Sequence, residues 1–309
     1  MFEGFQIGPF NIWTHLIFLL IGLWLSAEFF FRLAQSAGLS LQHFRDHGLW
    51  HLLAIIVGGR LIAVIGQYQV YIRPDDPLRA FYLQDGNFSF LGAAAGIACV
   101  LYFTRGTSRT TFLQWLDVLL PATCFGLSFD WLGKFAAGQA YGVPTDVFWA
   151  VTYDAPNVRF AVPIHPVQLY YALFYFILTF VLLVVRKHAK RAGAETLVGI
   201  VLASVATFIF ESFRGDFSIP VFATQLDFVV LLLIFISLGI FALISERLSP
   251  RAALVAEIVG TVLCAAYIFA RPLFPFDTFE LRFSQLIAIL ALLASVVYVV
   301  VHRQRHPHL

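Results

Sequence analysis

The strongest constraint on this chain is the recurrence of long apolar runs, nine of them, separated by short polar connections. They cover residues 10–31, 49–68, 88–103, 112–129, 166–185, 197–213, 225–245, 252–270 and 283–301. Each is near the ~20 residues that carry a helix across a hydrocarbon core of ~30 Å. Lipid offers no partner to backbone N–H and C=O groups, and the short alternating pattern of a membrane β-barrel is absent, so these runs must be helices. Hydrophobic residues fill 60% of the 309 positions and charged residues 12%, which leaves too little polar surface to cover a water-facing globule. The expected class is all-α: a polytopic integral membrane protein with about nine transmembrane helices.

Basic residues in short loops set the orientation. One side collects Arg32, Arg45, Arg105, Arg109, Arg186, Lys187, Lys190, Arg191, Arg247, Arg251, Arg303 and Arg305. The other side has Arg73, Arg79, Lys134, Arg159, Arg214, Arg271 and Arg282. A plasma membrane of the bacterial type is expected, with the N-terminus outside and the C-terminus cytoplasmic. The opening residues lack the basic region of a signal peptide, so the first run reads as a retained span. A formal charge of +2, spread over loops with no basic stripe, speaks against nucleic acid as a partner. Cys99, Cys124 and Cys264 lie in apolar runs and read as packing residues. His43, His47 and His51 would stack on one helix face, but Gly48 interrupts the run and no cysteine is near, so no metal site is assigned. No cofactor is implied either.

Ionisable side chains at membrane depth carry more information. Each costs at least ~2.5–3.5 kcal/mol on insertion scales, so they face the bundle interior and often mark function. Arg60 follows Gly58-Gly59 inside the second run, and reads as either the partner of a carboxylate such as Glu211 or Asp130 or a contact to an anionic headgroup. Glu211 and Arg214 are three apart at the outer end of the sixth run, and Asp130 and Lys134 four apart at the outer end of the fourth. Both spacings suit ordinary helix ion pairs. All four nevertheless lie near one leaflet, where with Arg60 they could form a pocket that holds a phosphate. His165 opens the fifth run on the same side and is the best-placed group for proton transfer. Gly92-Ala-Ala-Ala-Gly96 is a small-residue face suited to close helix packing. The segment 134–165, rich in Gly, Pro and Asp, is the largest water-accessible connection and the expected place of substrate contact.

Taken in order, several motifs resemble the prolipoprotein diacylglyceryl transferase family over roughly residues 7–245. They are Ile7-Gly-Pro9, Gly58-Gly-Arg-Leu61, Asp76-Pro-Leu78, Asp85-Gly-Asn-Phe-Ser-Phe90, Leu132-Gly-Lys-Phe135, Gly138-Gln-Ala-Tyr-Gly142, His165-Pro-Val-Gln-Leu-Tyr170 and Glu211-Ser-Phe-Arg-Gly-Asp216. The resemblance implies a membrane core of seven helices over 1–245, with a two-helix segment over 246–309 left over. It also implies transfer of a diacylglyceryl group from phosphatidylglycerol, or a related phospholipid, to a signal-peptide cysteine thiol of a prolipoprotein, releasing glycerol phosphate. Carried over residue by residue, it supports Arg60, His165, Gln168, Glu211 and Arg214, with His165 and Glu211 as the catalytic candidates and Arg60, Gln168 and Arg214 as substrate-binding ones; Lys134, which departs from the family pattern, joins the substrate-binding set as a cation that could replace a lost one.

The chain also departs from the family pattern. Leu91 stands where the resemblance implies a functional histidine, Trp131 and Thr207 where it implies arginines, and Lys134 and Ala137 where it implies asparagines. Gln139 replaces an acid and Thr14 a tyrosine. Losing a base or a phosphate-facing cation commonly costs ~10²-fold or more in rate. Two classes of function are therefore open: a divergent transferase acting on phospholipid at the outer face, or a non-catalytic lipid- or partner-binding paralogue. A transporter would want broken helices or repeat symmetry at midplane, and the sequence shows neither clearly.

Overall fold

A computed structural model describes residues 4–7, 10–66, 71, 76, 78–82, 88–104, 109–154, 158–189, 191–218, 220–244, 248–274 and 276–305. It is helical, with two short strand pairs. In chain order the elements are β1 (Gly4–Ile7), β2 (Phe10–Trp13), α1 (Thr14–Ser36), α2 (Gln42–Asp46), α3 (Gly48–Gly66), α4 (Phe90–Thr104), α5 (Arg109–Ala137), α6 (Val167–His188) and α7 (Ala194–Glu211). Then come β3 (Pro220–Ala223), α8 (Gln225–Ile244), α9 (Pro250–Ala270), β4 (Phe279–Arg282) and α10 (Phe283–Arg305). The all-α class of a polytopic membrane protein holds. Among the described residues eight helices are long and apolar enough to cross a membrane. The remaining apolar run, α4, has 15 residues and reaches ~22 Å at 1.5 Å per residue.

Compactness divides the chain into two units, Met1–Ile219 and Pro220–Leu309. The division at 245 follows the reach of the family resemblance. Packing instead groups α8 with α10, because these two helices contact each other.

In the first unit the helices alternate in direction, and their cross-contacts show it. Along α1 and α5, His15 meets Asp130 while Ser26 donates to the Ala122 carbonyl. Along α6 and α7, Tyr171 meets Glu211 while Arg186 meets Glu195. Helix α4 returns along α3 through glycine: a Cβ on Gly58 would lie 2.5 Å from the Gly92 carbonyl oxygen, so only hydrogen fits. The small-residue face read from the sequence is thus a helix interface.

Helix α5 is the centre of this unit. It is the least apolar of the long helices, at mean hydropathy 1.4, yet 61% of its most apolar stretch is buried, the largest share of any span. A helix surrounded by other helices can carry Asp117, Thr123, Ser128 and Asp130, all buried, because its polar groups meet protein partners and not lipid. Two apolar clusters flank it. One joins Cys124, Leu127 and Trp131 to Tyr171, Tyr175 and Leu178 of α6; the other joins Trp115, Val118 and Ala122 to Phe30 and Leu33 of α1 and Leu101 of α4. Near the start of α5, Asp117 accepts from the backbone N–H of Gly193 and Thr196 and from the Thr196 hydroxyl, and so caps α7 from a neighbouring helix. His43, His47 and His51 do not share one helix: α2 ends at Asp46 and α3 begins at Gly48. His51 instead lies flat on Phe44, with ring centroids 3.9 Å apart.

In the second unit β3 and β4 pair antiparallel, from Pro220 opposite Arg282 to Ala223 opposite Phe279. Each strand leads into a long helix. Thr224 caps α8 reciprocally with Asp227, the pattern of a capping box. Asp227 also binds Tyr267 and Arg271, tying the start of α8 to the end of α9.

Candidate functional site

The antiparallel packing gathers ionisable side chains at one end of the first unit. Asp130, buried on α5, receives Lys134 Nζ at 2.6 Å on one oxygen and meets His15 Nε2 at 2.8 Å on the other. The lysine stem bends back over its own helix, leaving Nζ 4.4 Å from the centre of the Trp131 ring. Lys134 is therefore on a helix and not in the loop, since α5 runs to Ala137.

Trp131 stacks on Tyr171 of α6 with ring centroids 4.1 Å apart and planes 9° from parallel. The Tyr171 hydroxyl donates to Glu211 Oε1 at 3.0 Å. Arg214 Nη1 donates to the same Glu211 oxygen at 2.7 Å, while its Nε and Nη2 fork onto Asp216 at 2.9 and 2.6 Å. Burial works against the Arg214 charge, but the two carboxylates outweigh it and hold the guanidinium above its ordinary range. Two ionic groups are thus joined through one aromatic stack. Among the described residues Asp130 faces Lys134 and His15, and Glu211 and Asp216 face Arg214.

The loop after α5 closes over this end by backbone pairing. Val143 N–H donates to Phe213 O, Gly215 N–H to Tyr141 O and His165 N–H to Val143 O. The crossing is tight: a Cβ on Gly215 would lie 2.5 Å from the Gly142 carbonyl oxygen. This lattice brings His165 beside Phe213, with ring centroids 5.0 Å apart, and hence next to Arg214 in the chain. His165 Nδ1 lies 3.0 Å from the Tyr170 hydroxyl, which also accepts the Trp149 indole N–H at 2.6 Å. Partial burial lowers the imidazole below its ordinary value of 6.5. Gln168 is fully buried and donates to the Gln139 carbonyl at 2.6 Å, which fastens the start of the loop to α6.

Arg60 has different company from that considered in the sequence. Its Nε and Nη2 donate to the carbonyls of Ala80 and Arg79, in a single 3₁₀ turn, at 2.8 and 3.0 Å. Its guanidinium lies over the Tyr71 ring, 4.5 Å from the centre. Asp130 and Glu211, weighed as its partners, are engaged by His15 and Lys134 and by Tyr171 and Arg214. Most of the connection over 69–87, including Pro74, Asp75, Pro77 and Asp85-Gly86, lies outside the described residues.

Sequence reasoning passed over His15 and Tyr171. His15 was findable, being a titratable residue at the start of an apolar run. Tyr171 carried no such signal, because tyrosine is common in membrane helices.

A family model described as prolipoprotein diacylglyceryl transferase matches residues 3–245 of this chain. The chain belongs to that family. Proteins similar to it include phosphatidylglycerol–prolipoprotein diacylglyceryl transferases of three bacteria. That of Idiomarina loihiensis is 32% identical over 177 residues, covering 57% of this chain and 65% of the relative. That of Polynucleobacter necessarius is 32% identical over 143 residues, covering 45% and 52%. The Finegoldia magna protein is 27% identical over 214 residues, covering 69% and 83%. The chain thus spans 65% and 52% of the length of the first two. The family region takes in the whole polar end described above and continues through α8.

Proposed function

We propose that this protein transfers a diacylglyceryl group from phosphatidylglycerol to the cysteine thiol of a prolipoprotein signal peptide, at the outer face of a bacterial plasma membrane. The observation that carries this reading is the backbone lattice that brings His165, a weakly basic imidazole, beside the Phe213-Arg214 segment. Base and cation are then carried by backbone segments that pair at the polar end. A thiol must lose its proton to become the nucleophile, and a departing phosphate needs positive charge. The thiolate attacks the glyceryl CH₂, the C–O bond to phosphate breaks, and the electron pair leaves with glycerol phosphate.

In this reading His165 takes the thiol proton. Glu211 serves by holding Arg214, and Arg214 and Lys134 face the phosphate. Arg60 orders the outer connection through the carbonyls of Arg79 and Ala80, and Gln168 fixes the loop that carries His165. Topology is set by nine crossings, with α4 as the return stroke beside α3: the N-terminus lies outside and the C-terminus in the cytoplasm. Incubating the purified protein with phosphatidylglycerol and a peptide bearing a lipobox cysteine tests the proposal, with the thioether adduct read by mass spectrometry. Product from wild type and none from Arg214→Ala is expected; no phospholipid turnover in wild type sinks it.

The closed Lys134–Asp130 and Arg214–Glu211 pairs favour a second reading, in which the site binds lipid or a partner without reaction. A phosphate entering there must open Lys134–Asp130 or Arg214–Glu211. Leu91, which stands where the family resemblance implies a histidine, is 54% exposed. This reading expects phosphatidylglycerol binding that weakens in Arg60→Ala and Arg214→Ala, with no adduct at any enzyme concentration. Slow but reproducible adduct formation excludes it.

A further inference from the structure

The contacts around Tyr170 fix more than the position of His165. Trp149 Nε1 lies 2.6 Å from the Tyr170 hydroxyl oxygen, and indole nitrogen is a donor only. The phenol oxygen is therefore an acceptor toward Trp149. With that position of the oxygen taken, its single proton is best placed to serve its other described neighbour, His165 Nδ1, at 3.0 Å. A neutral imidazole that accepts at Nδ1 carries its own proton on Nε2. A base needs a lone pair, and in this tautomer the Nδ1 lone pair is covered by the tyrosine hydroxyl.

We propose that Trp149 sets the direction of a proton relay in which Tyr170 stands between the acceptor thiol and His165. This rests on the assignment of His165 as the base. The thiol proton passes to the Tyr170 oxygen as the Tyr170 proton passes to His165 Nδ1. The products are a thiolate, an intact phenol and an imidazolium protonated on both nitrogens, so proton and charge balance. When glycerol phosphate leaves, its phosphate takes the proton back by the same route. Tyr170 is the group that would touch the thiol; Trp149 is a positioning residue that acts through it. The remaining surroundings suit this: Phe213 and Phe210 pack against the Tyr170 ring and hold its plane. Trp149 is half exposed and Phe148 beside it almost fully so, at the tip of the loop, so the relay ends at the outer surface.

The test is ¹⁵N NMR of the full-length protein in nanodiscs with labelled histidine, the His165 signals being those missing from the His165→Gln spectrum. Wild type is expected to show Nδ1 unprotonated and Nε2 protonated. Trp149→Phe keeps a ring but frees the phenol oxygen to accept, so the Nδ1–H tautomer should rise about five-fold, the factor carried by one net hydrogen bond. Tyr170→Phe should lower thioether formation by about 10²-fold, the lower range for a general-base group, with phosphatidylglycerol binding unchanged. A protonated Nδ1 in wild type, or a tautomer ratio indifferent to Trp149→Phe, overturns the relay. Wild-type turnover in His165→Gln overturns the base assignment instead, and is told apart because the wild-type tautomer spectrum still reads Nε2–H.

Discussion

Arg214→Ala takes a cation away from two carboxylates at once, and the structure sets the size of the effect. Arg214 makes charge-assisted hydrogen bonds to Glu211 and, as a fork, to Asp216. The Glu211 side chain is only 3% exposed, so removing its cation leaves a buried charge with the Tyr171 hydroxyl as a remaining donor. Breaking such a pair commonly costs ~3–5 kcal/mol. The Asp216 arm is 18% exposed on both partners, and the screening that water provides there reduces it to about 1 kcal/mol. The single substitution should therefore destabilise by about 4–6 kcal/mol, most of it from Glu211. The double variant Glu211→Gln/Arg214→Ala removes the stranded charge as well, and should recover more than half of that loss. Arg214→Lys keeps the charge but not the fork and should fall between wild type and Arg214→Ala. Unfolding in mixed micelles titrated with SDS, followed by tryptophan fluorescence, measures all three. The reasoning fails if Arg214→Ala loses less than about 1 kcal/mol, or if the double variant is no more stable than the single.

Different parts of the structure carry further expectations. Gly92→Leu should force α3 and α4 apart and lower stability by about 1–3 kcal/mol or more in the same titration, since the Gly58 backbone already fills the space a side chain needs. Asp117→Ala should cost about 1–3 kcal/mol by leaving the first N–H groups of α7 without their acceptor; backbone amide exchange at Gly193 and Thr196 would speed up. For His165 the sign is worked from burial, which lowers the imidazole below 6.5. The neutral, proton-accepting form then persists as pH falls through 6.5, so the acid limb of kcat/KM should lie below 6.5, with no loss on that account at higher pH. An acid limb above 6.5 would show that another group is the base.

The apolar runs announced the helices, because lipid leaves a long hydrophobic segment no other way to satisfy its backbone. What they did not announce was how the helices share the core. The run at 112–129 reads as modest, yet Arg109–Ala137 is the central helix, since its polar residues are tolerated only when other helices surround it. Asp130–Lys134 and Glu211–Arg214 were legible from spacing alone, as pairs on one helix turn or just past it. Their connection through Trp131 and Tyr171 was not, because stacking across helices leaves no mark in sequence spacing. The approach of His165 to Phe213 is likewise a product of backbone pairing between distant loops. Arg60 reads from the sequence as the partner of a carboxylate or of a headgroup; the structure gives it carbonyls of a 3₁₀ turn, and any residue supplies a carbonyl.

The strand pair of the second unit bears on how the gene could be cut. The family match stops at residue 245, which invites shortening the chain there, with α8 kept and the two helices beyond it removed. Such a cut would take away β4, the strand to which Pro220–Ala223 is bonded, and Arg271, which binds Asp227 at the foot of α8. The shortened chain would present a bare sheet edge at the membrane boundary, a ready template for the same edge of another copy. Trimming to the family limit should thus yield a protein that associates, while a cut at 219, where the compact units divide, leaves no half-ladder behind.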